Sequence, residues 1–496
     1  MEKHKANMAF DLFLNNFRSF REDTFKFSKI NILIGENSSG KSSLFKFFLS
    51  LKQTLEHPND KETNFAFSGA YTDLGSYKES IYYHNDDLPL EFSFNFGSDY
   101  YDFFESLFTI IENEGNEDAE KKIKLQQLID GPIVTPTKIK ISLSKELDKH
   151  HSITTEIVNE AIGSLTVKQL NEKNIPKNLL RGSTCELIFR NYQTNDELIV
   201  KDVSFEKVGF TSLISGNSLH DSLRDIFDAS DNVFTKEELT TEEKLKKARV
   251  EINYTKIAFL LVAQNYLNLH AAKMDYINPI DTRPTRVFYD KDRKLNPKIQ
   301  NLEDVVNFIG RDDNISKSTL KQFIKIVKFF GIADGIEVVR DDRLPVRELR
   351  VKVKDLLSNI TDVGYGVSLQ LPLILKSLLA DNLEERHNSI LLIEQPEVHL
   401  HPMLHAKLIE TLVSLSEHTT YFVETHSEHI VRKLQVLVKE GKYGLLPDDV
   451  SIHYFKRIKK KTEVTHHRIN SSGMLEPSFP TGFFDNSYLL SKQLLD

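Results

Sequence analysis

Between residues 10 and 34 apolar and polar positions alternate in two runs, FDLFLNNF and DTFKFSKINILIG, joined by a polar turn at Arg18 to Asp23. A period of two marks half-buried strands, so the segment predicts strand, turn, strand. The second run ends at Gly35, and beyond it Leu44, Phe47, Phe48 and Leu51 recur at helical spacing from Ser43 to Thr54. Further alternating runs, LPLEFSFNF, TKIKISLS, SITTEIV, CELIFRNY and ELIVKDVSF, predict an antiparallel β region. From about 217 to 273 the pattern turns helical, and helices are also expected over Leu302 to Ile309 and Ser318 to Phe330.

After about residue 335 the order is strand (RELRVKVKDLL), helix from Ser368, strand (SILLIE), helix (MLHAKLIETLVSL), strand (TTYFVETH) and helix. Such alternation predicts a largely parallel sheet covered by helices. A hairpin, SIHYFKRIKKKTEVTHHRI, follows. No heptad pattern persists long enough for a coiled coil, so the middle of the chain reads as a compact helical element.

At 496 residues the chain exceeds one ordinary hydrophobic core, and two lobes or a large insertion are expected. Its 40% hydrophobic and 27% charged residues are ordinary for a globular protein and exclude a mainly disordered chain. A net charge of −8 means that any contact with nucleic acid must come from a local basic patch. The single cysteine, Cys185, cannot form an internal disulfide, and the start MEKHKANMAFDLF lacks a secretory apolar core, so a cytoplasmic location is expected. Apolar runs such as KIAFLLVA are too short to span a bilayer, and no membrane partner is expected.

GENSSGKS, Gly35 to Ser42, fits G-x-x-x-x-G-K-[ST] between a predicted strand and a predicted helix. Glycines let backbone N–H groups turn inward around phosphates, Lys41 reaches the β and γ oxygens, and Ser42 offers a hydroxyl to Mg²⁺. Such a loop needs an acid at the tip of a neighbouring buried strand, and Glu394 ends SILLIE. One strand further on, His426 follows TTYFVET, where a neutral imidazole can hydrogen-bond the γ-phosphate. His399, His401 and His405 also admit a metal-ligand reading, although no cysteine or carboxylate pattern completes it.

The ordered set NFRSF (Asn16 to Phe20), GENSSGKS, DVGYGVS (Asp362 to Ser368), LLIEQPEVHLHP (Leu391 to Pro402) and VETHSEH (Val423 to His429) resembles ABC-type ATPases of the SMC/RecF group. Within that group it is most similar to OLD-like single-chain ATPases. The resemblance implies an α/β fold, a P-loop ABC/SMC-type ATPase head with a mixed sheet, an antiparallel β subdomain and a helical insertion. The division expected from it is an N-terminal ATPase lobe (1–100), an antiparallel β region (101–208), a helical insertion (209–333) and a C-terminal ATPase lobe (334–496).

The same resemblance implies ATP and Mg²⁺ as cofactors and a dimer in which two chains enclose two ATP molecules. Carried over, Gly35, Asn37, Ser38, Gly40, Lys41, Ser42 and Ser43 bind the nucleotide, Ser42 and Glu394 hold the metal, and Glu394, Gln395 and His426 form the catalytic set. Gly364, Gly366 and Ser368 would contact the γ-phosphate from the partner chain, with the helix from Ser368 aimed at it. Val398 to His401 would cross the interface, and DLGSY, Asp73 to Tyr77, would link nucleotide to the insertion. Arg283 and Arg286 resemble an element near the nucleotide lobe, suited to phosphate contacts or to surface pairing, and FPTGFFD (Phe479 to Asp485) resembles a tail of one bacterial branch.

Two departures stand out. Most members of that group follow the strand-end acid with a glutamate that polarises the attacking water, whereas this chain has Gln395, which can orient a water but cannot take its proton. Hydrolysis is therefore expected to be slow, with Glu394 or Glu397 as groups that could assist. The signature reads GVSLQ, with Leu369 where the group has glutamine.

The segment after VETHSEH shows no acidic cluster of two-metal nuclease type, so any destructive activity is expected on a separate effector protein. That arrangement resembles the ATPase halves of bacterial phage-defence pairs, including the PARIS and Septu ATPases, and implies a nucleotide-dependent sensor or scaffold. The alternative is a RecF-like clamp in DNA repair, with Lys456, Arg457, Lys459, Lys460 and Lys461 on one hairpin meeting DNA phosphates.

Overall fold

The computed structural model describes residues 10–56, 65–85, 87–96, 137–145, 151–159, 163–169, 183–192, 195, 197–205, 274–277, 284–289, 299–311, 315–341, 343–382, 389–459, 461–480 and 493. The chain divides into two compact units, Met1–Phe27 with Ser42–Ala272 and Ile458–Thr462, and Ser28–Lys41 with Lys273–Arg457 and Glu463–Asp496. The elements begin with β1 (Phe10–Phe17), β2 (Phe20–Phe27), β3 (Ile30–Gly35), α1 (Lys41–Glu56) and the single turn α2 (Tyr77–Ser80). Strands β4 (Leu90–Phe96), β5 (Thr137–Lys145), β6 (His151–Asn159), β7 (Gly163–Gln169), β8 (Ser183–Asn191) and β9 (Glu197–Phe205) follow.

All of these strands except β3 form one antiparallel sheet in the order β2-β1-β4-β5-β6-β7-β8-β9. Along β1, buried Phe10, Leu12 and Leu14 alternate with half-buried neighbours, as a strand with one covered face requires. Helix α1 contributes Leu44, Phe47, Phe48 and Leu51 to the buried layer, and the Phe47 ring lies 5.6 Å from that of Phe17 and 5.1 Å from that of Phe92. Each such edge-on pair adds about 0.5–1.5 kcal/mol beyond its burial.

Several expectations change in this unit. The turn after β1 is only Arg18 and Ser19, because Phe17 pairs directly with Phe20. The run DTFKFSKINILIG is two strands in two sheets: burial alternates along β2, with one face covered, and is continuous along β3, with both faces covered. Asn31 holds the break between them, accepting from Ser28 N at 2.8 Å and donating to Ser28 O at 2.7 Å. Strand β7 is an addition to the expected set. β4 and β5, which lie on either side of residue 100, pair in the same sheet from Leu90↔Leu143 to Phe96↔Thr137.

The chain continues with β10 (Met274–Ile277), β11 (Phe288–Tyr289), α3 (Leu302–Ile309), α4 (Lys317–Phe330), β12 (Gly335–Arg340), β13 (Val346–Val353), β14 (Leu356–Asn359) and α5 (Tyr365–Asn382). After these come β15 (Ser389–Glu394), α6 (Pro402–Ser414), β16 (Thr419–Glu424), α7 (Glu428–Glu440), β17 (Val450–Ile458), β18 (Lys461–Ile469) and β19 (Leu475–Glu476). The main sheet of this second unit has the order β10-β15-β16-β3-β17-β18-β19, parallel from β10 through β17. A smaller antiparallel sheet joins β11, β13, β12 and β14. Val305 of α3, Phe323 of α4, Leu371 of α5, Leu412 of α6 and Leu434 of α7 share one core with Ile32 and Leu391 of the sheet.

Three further expectations are corrected here. Met274–Ile277, inside the segment read as a helical insertion, is a strand on the edge of the main sheet, too short for its pattern to signal it. RELRVKVKDLL is a hairpin, with Val353 paired to Leu356 across a turn at Lys354, φ 56°. Helix α5 starts at Tyr365, a turn before Ser368. The helices expected over 217–273, Arg283, Lys460 and most of FPTGFFD lie outside the described residues. Among the described residues no helix is long and apolar enough to cross a membrane.

Candidate functional site

Strand β3 lies between β16 and β17, and their parallel register brings the strand ends together: Glu394 is level with Glu424, Glu424 with Leu33, and Gly35 with Phe455. The loop at Gly35 therefore leaves the sheet at the same edge as the acidic ends of β15 and β16. This C-terminal edge is where open parallel sheets receive ligands. The turn out of the sheet requires glycine, because a Cβ on Gly35 would lie 2.0 Å from Phe455 O. Beyond it, Ser38 at φ 56° and Gly40 at φ 108° curl the backbone back on itself, with Asn37 and Ser38 exposed.

Lys41 is 3% exposed, and its Nζ donates to Gly35 O at 3.1 Å and Glu36 O at 2.7 Å. Burial pulls this ammonium below the usual lysine range, while the charges of Glu424 and Glu36 oppose the shift. Ser42 and Ser43 follow in the first turn of α1, Ser42 exposed and Ser43 half-buried. Ser42 and Glu394 supply only oxygen donors, the chemistry that Mg²⁺ takes.

SILLIE and TTYFVE have the same form, a buried apolar strand ending in glutamate, and they pair residue for residue. Glu424, 3% exposed, exerts the larger of the two acidic charges that act on Lys41, and sequence reasoning did not single it out although the shared pattern could have shown it. Tyr276 was also missed, and its four-residue strand carried no signal. It pairs with Leu392, so its side chain shares a sheet face with Glu394 two residues on. Burial, the Glu394 charge and a hydrogen bond to Glu394 all raise the Tyr276 hydroxyl above its usual range. Gln395 is half-buried at φ 41°, with its N–H donating to Glu424 O at 2.8 Å.

His426 is exposed at the end of β16, where partial burial and the Lys41 charge lower its pKa and Glu397 opposes them. The imidazole is thereby held neutral to lower pH than an ordinary histidine, the form that accepts or donates through either ring nitrogen. Glu397 Oε1 accepts from Thr425 Oγ1 at 2.7 Å and from the His426 amide at 2.8 Å.

The signature residues are arranged differently from expectation. Gly364 is exposed with open space around it, but Gly366 and Ser368 are buried within the first turn of α5. Ser368 Oγ donates to Tyr365 O at 2.7 Å, the usual competition of a helical serine for backbone carbonyls. A Cβ on Gly366 would lie 2.7 Å from His399 O, so glycine permits the close packing of α5 on the loop after β15. Gln370, one position beyond the expected glutamine, donates to Pro396 O at 2.7 Å.

His399, His401 and His405 are engaged separately. His399 packs on Tyr365 with ring centroids 5.0 Å apart, His401 caps α6 by accepting from Met403 N, and His405 meets Ser427 Oγ at 2.8 Å. Among the described residues no group of three or more metal-binding side chains occurs. Arg286 forms a two-pronged surface pair with Asp362, at 2.6 and 3.2 Å. The DLGSY segment belongs to the first unit, where Tyr77 Oη donates to Leu143 O at 2.9 Å. Lys456, Arg457, Lys459 and Lys461 are exposed, and Arg457 reaches Ser38 O at 3.4 Å.

Residues 11–431 match the family described as AAA ATPase domain, and residues 445–490 match a family described as a protein of unknown function, DUF3696. No curated protein matches. Among solved structures the chain is similar to the SMC head domain from Thermotoga maritima, at 11% identity, 92% of this chain, 98% of that chain and a TM-score of 0.33. It is also similar to the Smc head domain with an extended coiled coil bound to the C-terminal domain of ScpA, from Pyrococcus furiosus, at 10% identity, 99% of this chain, 100% of that chain and a TM-score of 0.38.

Proposed function

The chain belongs to the AAA ATPase domain family, and from that premise we propose that it is a slow ATPase whose ATP-bound dimer is the working state. One observation carries the reading: Lys41 is buried with its ammonium on two loop carbonyls and under the influence of Glu424. An ammonium so placed is exchangeable onto phosphate oxygens, which are stronger acceptors than peptide carbonyls. Gly35, Asn37, Ser38, Gly40, Lys41, Ser42 and Ser43 would cradle the triphosphate, and Ser42 and Glu394 would hold Mg²⁺, which would supply charge neutralisation for the phosphates. Glu394, Gln395 and His426 face the reacting end. Gln395 orients water without removing its proton, which keeps turnover low and lets closure outlast each binding event.

In the partner chain's site, Gly364, Gly366 and Ser368 act at the γ-phosphate, which requires the Ser368 hydroxyl to leave the Tyr365 carbonyl it now holds. The biological reading is a nucleotide-dependent sensor or scaffold in bacterial anti-phage defence that controls a separate effector, and it is supported by the motif resemblance. A second reading, an ATP-dependent DNA clamp, is favoured by the exposed cations Lys456, Arg457, Lys459 and Lys461, of which Arg457 reaches Ser38 O of the phosphate loop.

Binding of a fluorescent ATP analogue, together with gel filtration and mass measurement with and without ATP and Mg²⁺, tests the core of the proposal. Wild type is expected to bind and to associate on ATP addition, and Lys41→Ala to do neither. Identical behaviour of the two proteins would remove the site. Salt-sensitive DNA binding that depends on ATP would select the clamp.

A further inference from the structure

Glu397 is 8% exposed and sits three residues beyond Glu394. Withdrawing a carboxyl group from water is costly unless donors surround it, and both donors to Oε1 belong to the two residues that follow β16, Thr425 and His426. Its Oε2 is buried and makes no hydrogen bond to the described residues. The carboxylate thus ties the loop after β15 to the backbone of His426. The same loop is fastened on its other side to α5. Gln370 holds Pro396 O at 2.7 Å, Gly366 abuts His399 O, and the Tyr365 ring meets that of His399 at 5.0 Å.

Residues 396–399 are therefore gripped from both sides, by the first two turns of α5 and by the start of the segment that carries His426. Packed, hydrogen-bonded segments of this kind move together because close-packed interiors do not deform continuously.

We propose that Glu397 is a positioning residue that transmits displacement of α5's first turns to His426, so that an event at the signature is registered at the imidazole of the same chain. The proposal rests on the nucleotide-site reading for its purpose, but its primary test needs no nucleotide. Two charged groups act on the imidazole, Lys41 from the phosphate loop and Glu397 from the loop after β15.

The full chain labelled with [¹³Cε1]histidine, with His426 assigned by the loss of its signal in His426→Asn, is titrated as wild type, Glu397→Gln and Gln370→Leu. Glu397→Gln keeps the shape and one acceptor but removes the charge that opposes the lowering of His426, so its midpoint moves to lower pH. Gln370→Leu alters no charge and does not touch His426, yet its resonance is expected to shift, because the loop loses its tie to α5. An unmoved His426 in Glu397→Gln overturns the contact, and an unmoved His426 in Gln370→Leu overturns the transmission. Should Glu397→Gln fail to fold, Gln370→Leu alone decides. In turnover assays Glu397→Gln loses roughly 10- to 100-fold in kcat with KM retained, the pattern of a lost supporting contact. If wild type binds no ATP analogue, the functional reading fails while the nucleotide-free titration still decides the coupling.

Discussion

Helices α6 and α7 leave the site from Pro402 and Glu428, and one buried carboxylate joins them. Glu410 on α6, with a side chain 3% exposed, meets Lys442 at 2.5 Å, Lys433 at 3.3 Å and Lys407 at 3.4 Å. The Tyr443 hydroxyl also donates to it, at 3.3 Å. Burial by itself would raise this carboxyl, but hydrogen bonds from Lys442 and Lys433 and the charge of Lys407 outweigh it and hold the pKa at about 2 against an ordinary 4.5. At about 1.4 kcal/mol per pH unit that difference amounts to about 3 kcal/mol. Lys407 and Lys442 are each 43% exposed, so solvent screening reduces the net contribution to about 1–2 kcal/mol.

Because the folded carboxyl is the stronger acid, this stability is complete above pH 4.5 and is lost as pH falls toward 2. Glu410→Gln is therefore expected to lower the free energy of urea unfolding by about 1–2 kcal/mol at neutral pH. The gap to wild type should close as both proteins are taken from pH 4.5 down to 2. Circular dichroism across a pH series measures both effects. A variant as stable as wild type at neutral pH, or a gap that does not narrow in acid, would refute the reasoning.

Two other substitutions probe the candidate site. Gln395→Glu supplies a proton acceptor where an amide now stands, and phosphate release should rise by roughly 100-fold or more; unchanged turnover would show that the amide is not what limits the reaction. Gly35→Ala places a Cβ 2.0 Å from Phe455 O, so the β3 and β17 pairing or the loop must give way. The expected result is loss of ATP-analogue binding with a destabilisation of about 1–3 kcal/mol by thermal unfolding, and full retention of both would contradict the close approach.

Much of the fold was legible because it is encoded within single elements. The strand before GENSSGKS and the helix after it appear at Ile30–Gly35 and Lys41–Glu56, and the apolar runs ending at Glu394 and before His426 are strands of the parallel sheet. The change from alternating to continuous burial at Ser28 was also present in the pattern, yet it read as one strand, since period alone does not say which sheet a strand joins. β10 escaped because four residues carry too little periodicity to compete with the helical pattern read before it.

By itself the amino-acid order determined the phosphate loop, its flanking strand and helix, and the acid-tipped strand, because each depends on residues a few positions apart acting through local backbone geometry. Only the tertiary structure decided that Glu424 acts on Lys41, that Tyr276 shares a face with Glu394, that Glu397 holds His426, and that Ser368 points into its own helix. Those relations rest on register and packing between segments remote along the chain, and a single-residue slip in strand pairing would turn every one of the strand-borne side chains to the opposite face.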